Sequence, residues 1–286
     1  MKQILIISGK GGTGKTFFTG CMAVAVKNKV LVDCDVDAAN LHLLLHPEIK
    51  EKYEFWSGKI AEIDSEKCTG CGTCKEICRF EAIEEKDGLY RIEPYACEGC
   101  TICSYFCPEE AIILRDRLSG HYFISETKYG PLVHARLGIA QENSGKLVTK
   151  LREIAEEMAK KKNYDYVIID GPPGVGCPVM AAMTGVDLAV VVVEPTLSGL
   201  HDFERVVELS GHFKIPLKVI INKYDLNKEV SQKIEERASE LEAELVGRIP
   251  FSEEILTSVK NGVPFLEKST SPLAQEIFQL CQNLVK

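Results

Sequence analysis

The chain of 286 residues is long enough for one large domain or for one domain with a small insert. Hydrophobic residues make up 45% of it, and no apolar run has the length of a membrane span or the flanks of a secretory signal, so we expect a cytoplasmic protein without membrane insertion. The net charge of −8, without a strongly basic face, argues against nucleic-acid binding.

The first predicted strand, residues 2–7, ends at a glycine-rich loop that a helix-like segment follows. This context is the one that the P-loop pattern G-x4-G-K-T requires. Backbone N–H groups of such a loop cradle phosphates, Lys15 reaches the terminal phosphates, and the hydroxyl of Thr16 is placed for Mg²⁺. A plain glycine-rich turn is the alternative. The predicted nucleotide-binding residues of this loop are Gly9, Lys10, Gly11, Gly12, Thr13, Gly14, Lys15 and Thr16.

A second lysine, Lys10, stands near the start of this loop, which reads KGGTGKT. The loop resembles the deviant Walker A motif of the MinD/ParA family, which includes the nitrogenase iron protein and the Mrp-type cluster carriers. In that family the extra lysine crosses a dimer interface and touches the nucleotide of the partner. The resemblance therefore implies a homodimer that forms on ATP binding, with Lys10 and Lys15 both catalytic. An exposed loop lysine is the alternative for Lys10.

The next predicted strand lies in VLVDCDVDAANL, residues 30–41, and is similar to the second nucleotide motif of the same family. The resemblance implies that Asp35 orients the attacking water and is catalytic, whereas Asp33 lies near Mg²⁺. Asp37 and Asn40 follow in the region of switch I, and no role is assigned to Asp37.

Residues 60–115 are acidic. They hold twelve acids and six bases, so they contribute 6 − 12 = −6 of the total charge. An acidic insert suits docking of a basic protein partner, whereas simple solubility is the alternative.

The same segment is a tandem repeat of cysteines. Eight of the twelve cysteines lie in residues 68–107, and each copy reads C-x2-C-x2-C-x3-C. A shift of 29 residues places Cys68, Cys71, Cys74 and Cys78 on Cys97, Cys100, Cys103 and Cys107. This spacing is typical of bacterial two-cluster ferredoxins, in which the fourth cysteine of each run ligates the other cluster.

The crossed pattern predicts two 4Fe-4S clusters with exchanged fourth ligands. Zinc or disulfide bonds are the alternatives, although zinc sites usually use two separated C-x2-C pairs. Arg79 follows Cys78 where the pattern expects the proline that Pro108 supplies after Cys107. The predicted ligands are Cys68, Cys71, Cys74 and Cys107 for the first cluster, and Cys78, Cys97, Cys100 and Cys103 for the second.

After the insert, YVIIDGPPG at residues 166–174 looks like the Walker B and switch II segment of the family. The resemblance implies that Asp170 holds a Mg²⁺-bound water, so the predicted magnesium residues are Thr16, Asp33 and Asp170. The glycine and prolines that follow Asp170 predict a loop able to move with the γ-phosphate.

Further apolar strands are predicted at residues 188–195, 217–222 and 245–250, alternating with helices. This alternation indicates a parallel sheet covered on both faces. The C-terminal stretch is an amphipathic helix with Leu273, Ile277, Leu280 and Leu284 on one side. With one lysine and no arginine, it is read as a packing helix, in contrast to the basic membrane tail of MinD.

The resemblance implies that residues after the strand at 217–222 read the nucleotide base. NKYD, residues 222–225, fits the guanine-reading pattern of GTPases. In MinD-type ATPases an asparagine after this strand contacts adenine, and a loop like RIPFSE closes over the base. The resemblance favours ATP over GTP and assigns Asn222, Lys223 and Pro250 to nucleotide binding.

Cys177 lies seven residues after Asp170. The nitrogenase iron protein has a cysteine at the same offset, through which, with a second cysteine, two subunits share a cluster. The corresponding segment here, residues 138–146, has no cysteine. Two interpretations stay open: a small buried packing residue, or a switch II thiol that reaches a partner's metal or a labile site at the dimer seam.

Together these features predict an α/β, parallel-sheet P-loop NTPase of the MinD/ParA type with an inserted α+β two-cluster ferredoxin domain. The nucleotide domain comprises residues 1–59 and 116–286, and the insert comprises 60–115. The predicted function is an ATPase switch that uses ATP, Mg²⁺ and two 4Fe-4S clusters to gate electron transfer or metal-cofactor or iron–sulfur assembly on a redox or metal-cofactor partner protein. The alternatives are an iron–sulfur cluster carrier or scaffold, a redox-sensing regulatory ATPase and a MinD-like positioning protein.

Overall fold

A computed structural model describes residues 1–138 and 144–286. The strands in these ranges are β1 (Lys2–Ser8), β2 (Lys29–Asp33), β3 (Glu48–Ile63), β4 (Ile83–Lys86), β5 (Leu89–Ile92), β6 (Ile112–Thr127), β7 (Gly130–Leu137), β8 (Tyr166–Pro173), β9 (Leu188–Val193), β10 (Leu217–Asn222) and β11 (Glu244–Ile249). The helices are α1 (Lys15–Ala25), α2 (Leu41–Leu45), α3 (Thr73–Ile77), α4 (Ile102–Tyr105), α5 (Ser144–Lys162), α6 (Cys177–Met183), α7 (Leu197–Phe213), α8 (Lys228–Glu240), α9 (Glu253–Lys260), α10 (Phe265–Lys268) and α11 (Pro272–Val285).

The central sheet has nine strands in the order β11-β10-β9-β1-β8-β2-β7-β6-β3. All strand pairs from β11 to β7 are parallel. Strands β1, β2 and β9 are buried along almost their whole length, as expected for β-branched runs with helices on both faces. The predicted mostly parallel α/β fold is confirmed.

The parallel arrangement brings the carboxyl ends of β1, β2 and β8 to one edge of the sheet. Asp33 at the end of β2 pairs in register with Asp170 in β8, and Ile6 of β1 pairs with Asp170 on the other side. Loops and ligands of such folds meet at this edge. The sheet therefore sets the positions of the P-loop and both aspartates.

The chain divides into two compact units. Among the described residues, the larger unit comprises 1–52, 122–136 and 144–286, and the smaller comprises 53–121 with 137 and 138. Strands β3 and β6 each have residues in both units. The smaller unit holds the antiparallel β4–β5 hairpin and a small core of Ala61, Ala82, Cys97 and Ile112, against which further cysteines pack.

Strand β8 continues past Asp170 to Pro173, so the loop predicted directly after Asp170 is wrong for residues 171–173. Gly171 explains the extension. A Cβ there would lie 2.8 Å from side-chain atoms of both Leu5 and Ile7, which shows how closely β8 packs against β1. Strands β3, β6 and β7 were also not predicted. Most residues of β3 are exposed, and β6 mixes polar with apolar residues. Strand β7 is buried over residues 131–135, but His134 interrupts its short apolar run.

The C-terminal helix α11 packs as predicted, with Ile277 and Leu284 buried and Leu273 and Leu280 partly buried against the same core. Across residues 1–138 and 144–286, none of the helices combines the length and apolarity that a bilayer span needs.

Candidate functional site

The P-loop connects β1 to α1 and adopts a backbone that glycine favours. Gly12 and Gly14 have φ values of 81° and 96°, a region that side chains rarely occupy. At Gly14 the space is also closed, since a Cβ would lie 2.2 Å from Asn222 Nδ2. The Thr13 hydroxyl is buried and has no hydrogen-bond partner among the described residues. The loop is therefore a tight backbone cradle with one polar atom unsatisfied.

Lys15 begins α1 and is buried with two carboxylates. Its Nζ lies 3.2 Å from Asp170 Oδ1 and 3.3 Å from Asp35 Oδ2. Burial by itself would lower the pKa of the Lys15 ammonium, but Asp170, Asp35 and Asp33 together outweigh it and raise the pKa. The ammonium stays charged, which suits it for binding an anion such as a phosphate.

Asp170 is fully buried and accepts further hydrogen bonds from α1. Thr16 Oγ1 donates to Asp170 Oδ2 at 2.9 Å, and Thr19 Oγ1 donates to Asp170 Oδ1 at 2.8 Å. The predicted magnesium residues Thr16 and Asp170 are thus in contact, and oxygen donors of this kind are what Mg²⁺ prefers. Thr19 was missed by the sequence analysis, although it stands one helical turn after Lys15.

Asp33 is placed by backbone bonds at the end of β2. Its carboxylate accepts hydrogen bonds from the N–H groups of Asp35, at 3.1 Å, and Leu41, at 3.2 Å. Burial, reinforced by Asp170, raises the pKa of Asp33 to about 8. Asp35 is partly exposed, and burial also raises its pKa. Asp37 is exposed, and its charge adds to the effects that raise the pKa of Asp35.

Lys10 lies on the other side of the loop and is held within its own chain. Its Nζ is 2.8 Å from Thr196 Oγ1, 3.2 Å from Ser198 Oγ and 3.6 Å from Glu194 Oε2. Lys223 Nζ bonds the other oxygen of Glu194 at 2.8 Å. Glu194 carries no motif and was not predicted, although it directly follows β9 at the functional edge of the sheet.

The predicted base-reading segment touches the P-loop. Asn222 Nδ2 donates to the carbonyl of Thr13 at 2.7 Å. Asp225, the residue that would read guanine in a GTPase, accepts the N–H of Phe251 at 2.6 Å. Half-buried Pro250 lies next to Phe251 in the chain. Because the Asp225 carboxylate already accepts this hydrogen bond, the structure does not favour guanine recognition by Asp225.

Two cavities in the smaller unit divide the eight clustered cysteines into two groups of four. Tyr90, Ile112 and other residues line the first cavity with its cysteines, whereas Ala61 and Phe80 are among those that line the second. The guanidinium of Arg79 lies 5.1 Å from the ring centroid of Phe80. The cysteines of the first cavity are Cys68, Cys71, Cys74 and Cys107, and those of the second are Cys78, Cys97, Cys100 and Cys103.

All twelve cysteines lie within the described residues and are free thiols. Burial raises the pKa of the Cys74 and Cys103 thiols. Within the described part of the chain, no three His, Cys, Asp or Glu side chains converge closely enough for one metal ion.

Arg117 holds the loop beside the second cavity. Its guanidinium donates to the carbonyls of Cys97 and Pro94, both at 2.8 Å. The position 29 residues earlier is Gly88, so the first cavity has no arginine at the equivalent place. Arg117 lies outside the predicted insert boundary and carries no motif, so it was missed.

Cys177 is exposed at the first residue of α6, so the interpretation as a buried packing residue is wrong. Its backbone carbonyl lies near Gly145 of α5, where a Cβ would come within 3.5 Å of it. Residues 139–143 of the segment in which a second cysteine was sought lie outside the described residues.

Comparison with known proteins shows the family to which the chain belongs. Residues 4–265 match the profile of the CobQ/CobB/MinD/ParA nucleotide binding domain. An uncharacterized protein of Methanocaldococcus jannaschii is 39% identical over 228 residues, which cover 79% of each chain. An uncharacterized ATP-binding protein of the same organism is 27% identical over 273 residues, 92% of this chain and 90% of the relative.

Solved structures share the fold. The MinD cell division protein of Aquifex aeolicus is similar with a TM-score of 0.57 and 22% identity, covering 99% of this chain and 97% of that one. MinD of Pyrococcus horikoshii in complex with Mg-ADP is similar with a TM-score of 0.56 and 20% identity, covering 99% and 95%.

Proposed function

Because the chain belongs to the CobQ/CobB/MinD/ParA nucleotide-binding family, we propose that it is a homodimeric ATPase switch coupled to two 4Fe-4S clusters. Its nucleotide state gates electron transfer or metal-cofactor assembly on a partner protein. The observation that carries the proposal is the presence in one chain of a complete P-loop site and of two cavities with four thiols each.

The nucleotide part of the proposal rests on the buried charges around α1. An incoming terminal phosphate takes the place of Asp35 and Asp170 as counter-charge for Lys15, and the unsatisfied Thr13 hydroxyl gains a partner. Thr16 and Asp170 would hold Mg²⁺, with Asp33 behind them, and the ion neutralises phosphate charge when bound. Asp35 orients the attacking water from the partly exposed side of the site.

ATP is the proposed nucleotide. A relative described as ATP-binding and a structural neighbour in complex with Mg-ADP support this choice. GTP is the alternative, and the bond from Phe251 N–H to Asp225 argues against it, since that carboxylate is the group that would pair with guanine.

The homodimer rests on Lys10. In the monomer its ammonium is satisfied by Glu194, Thr196 and Ser198, so it reaches a partner's nucleotide only after leaving these groups. Nucleotide binding and dimerisation are therefore coupled through one side chain.

The cluster part rests on the donor set. Each cavity presents four cysteine sulfurs and no imidazole, the set that 4Fe-4S clusters use. A 4Fe-4S cubane is larger than a single metal ion. Four cysteines that are too far apart to bind one ion can therefore still surround a cubane. The clusters, when bound, store and pass single electrons.

Three alternatives keep the same site. A cluster carrier or scaffold would transfer its clusters to an apo-protein, whereas clusters with four cysteine ligands each should resist transfer. A redox-sensing regulatory ATPase would change its hydrolysis rate when the clusters are reduced. A MinD-like positioning protein would need no clusters at all.

Cys177 is proposed as the thiol that meets the partner from switch II. Its exposure at the start of α6 makes it available to a partner's metal or to a labile site at the dimer seam. Cys177→Ser should keep both clusters and ATP hydrolysis yet weaken partner-dependent transfer, and unchanged transfer would remove this role.

The test of the proposal combines metal analysis with two variants. Anaerobically purified protein should hold about eight irons and acid-labile sulfide per chain. Lys10→Ala should bind ATP through Lys15 but lose ATP-driven dimerisation and hydrolysis, whereas Asp35→Ala should bind, dimerise and trap ATP. Stoichiometric zinc without sulfide, or normal dimerisation of Lys10→Ala, would refute the respective part.

A further inference from the structure

The two copies of the cysteine repeat differ in the surface that they present. Helices α3 and α4 occupy equivalent positions, 29 residues apart. Where α3 has Thr73 and Glu76, α4 has Ile102 and Tyr105, and Phe106 follows directly. The second copy therefore has apolar or aromatic side chains at two positions that are polar in the first copy, whereas Phe106 corresponds to the apolar Ile77.

These apolar side chains are open to solvent. Tyr105 is 82% exposed, Phe106 55% and Ile102 43%. The rings of Tyr105 and Phe106 meet edge to face with centroids 5.2 Å apart. We call Ile102, Tyr105 and Phe106 the α4 patch. Clustered exposed aromatic side chains of this kind are enriched in protein interfaces.

The α4 patch is continuous with the second cavity. Ile102 lines that cavity between Cys100 and Cys103, and Cys100 is itself exposed. A partner seated on the patch would thus contact the wall of the second cavity. The first cavity has Thr73 where the second has Ile102.

Every charged residue in the chain segment around the patch is acidic, whereas Arg79, from the first copy of the repeat, lines the same cavity as Ile102. Residues 92–114 contain four acids and no lysine or arginine. Glu98, Glu109 and Glu110 are exposed within four residues of the patch in the chain. An apolar centre with an acidic rim fits a partner that has an apolar patch ringed by lysine or arginine, because charge complementarity at the rim steers association.

We propose that the α4 patch is the docking face for a small basic electron-transfer protein, and that electrons leave this chain through the second cavity. The proposal rests on the proposed function, since the second cavity passes electrons only when a cluster is bound there. A reduced cluster held by Cys78, Cys97, Cys100 and Cys103 would give one electron to the one-electron centre of the partner, with no bond made and no proton moved.

Cytochrome c, a small basic haem protein, is the probe for this face. Its oxidised form is titrated into the cluster-loaded chain in a calorimeter at low and high salt. Tyr105→Ser and Phe106→Ser should each weaken binding about tenfold, as removal of central aromatic contacts does. Leu89→Ser is the matched control, because Leu89 is 53% exposed in the same unit but lies on β5.

A second pair of variants tests the rim. Glu98→Gln should weaken binding and reduce its salt dependence, whereas Glu76→Gln, at the surface of α3, should do neither. Stopped-flow reduction of cytochrome c by the reduced chain should slow in the same variants, and iron and sulfide assays on each variant report cluster content.

Wild-type affinity in both patch variants, or an equal loss in Leu89→Ser, would overturn the proposal. Self-association of the wild type that Tyr105→Ser abolishes in light scattering would also overturn it, because the occupant would then be a second copy. If a chain without iron or sulfide still binds cytochrome c through the patch, the docking face is supported and the proposed function is refuted. Failure of the docking proposal and failure of the proposed function therefore give different results.

Discussion

The side-chain amide of Asn222 lies against the α-carbon of Gly14, so close that a Cβ on Gly14 would be 2.2 Å from Asn222 Nδ2. The same amide donates to the carbonyl of Thr13 at 2.7 Å. Strand β10 thereby braces the P-loop from the side of the base-reading segment. The contact ties the two predicted halves of the nucleotide site together before any nucleotide binds.

This contact predicts unequal effects of alanine at two glycines. Gly12→Ala should cost about 1–2 kcal/mol of unfolding free energy, because φ is positive but no atom lies within 4 Å. Gly14→Ala should cost about 3 kcal/mol or more, since a clash adds to the same strain. Urea unfolding followed by circular dichroism measures both. The double variant Gly14→Ala/Asn222→Ala should regain the part of the unfolding free energy that the clash with Asn222 costs. If it regains none, the steric explanation is wrong.

The second prediction concerns the exchange of fourth cysteines. Cys78 belongs to the first sequence motif but lines the second cavity, so Cys78→Ser should lose about four irons from the second cluster alone. Iron analysis of double variants decides the pairing. Cys78→Ser/Cys97→Ser should lose no more iron than Cys97→Ser, whereas Cys78→Ser/Cys68→Ser should lose iron from both clusters. The reverse pattern would assign Cys78 to the first cavity.

The third prediction concerns Arg117. Its guanidinium is fixed on the carbonyls of Cys97 and Pro94, so its positive charge would stabilise the more negative, reduced form of the cluster proposed for the second cavity. Arg117→Gln should lower the midpoint potential of that cluster by on the order of 60 mV, a tenfold change in a one-electron equilibrium. Redox titration monitored by electron paramagnetic resonance measures it.

Arg115→Gln is the matched control for Arg117→Gln. Arg115 carries the same charge but pairs with Glu62 at 3.0 Å and is largely exposed. Its removal should leave the potentials of both clusters nearly unchanged, because solvent screens an exposed pair. Equal shifts in the two variants would show that general charge, and not the contact with the Cys97 loop, sets the potential.

The fourth prediction concerns acid stability of the larger unit. His134 is buried, bonds Ser125 Oγ through Nε2 at 2.9 Å and stacks on Phe123 and His42. Burial, with a contribution from His42, lowers the pKa of His134 to about 4. An unfolded histidine binds a proton below a pH of about 6.5, so between these values protonation favours the unfolded chain and stability falls as the pH falls.

Replacing His134 should remove part of this pH dependence. Between pH 7 and pH 4.5 the unfolding free energy of the wild type should fall by about 2–3 kcal/mol more than that of His134→Gln. Urea unfolding at the two pH values measures the difference. His201→Gln, on an exposed histidine of α7, is the control and should behave like the wild type. A pH dependence unaltered in His134→Gln would place the acid sensitivity elsewhere.

Local patterns in the sequence were sufficient for several elements. Strands β1, β9 and β10 follow from short apolar runs, and helix α11 follows from its apolar spacing, because each pattern depends on neighbours within one element. The loop from Gly9 to Thr16 was recognised for the same reason. The spacing typical of two-cluster ferredoxins predicts two groups of four cysteines with exchanged fourth ligands. The same two groups line the two cavities, and their binding of clusters stays a prediction.

Other features were decided only by the tertiary structure. Glu194 joins Lys10 to Lys223, and Arg117 holds the Cys97 loop, through contacts between residues far apart in the chain. Strand β8 extends past Asp170 because Gly171 lets it lie against β1. Such contacts form between residues that are far apart in the sequence and become neighbours only in the folded chain. Neither side-chain spacing nor local propensity specifies which distant residues become neighbours. The sequence alone thus determined which chemical groups are present, and long-range packing decided which of them touch.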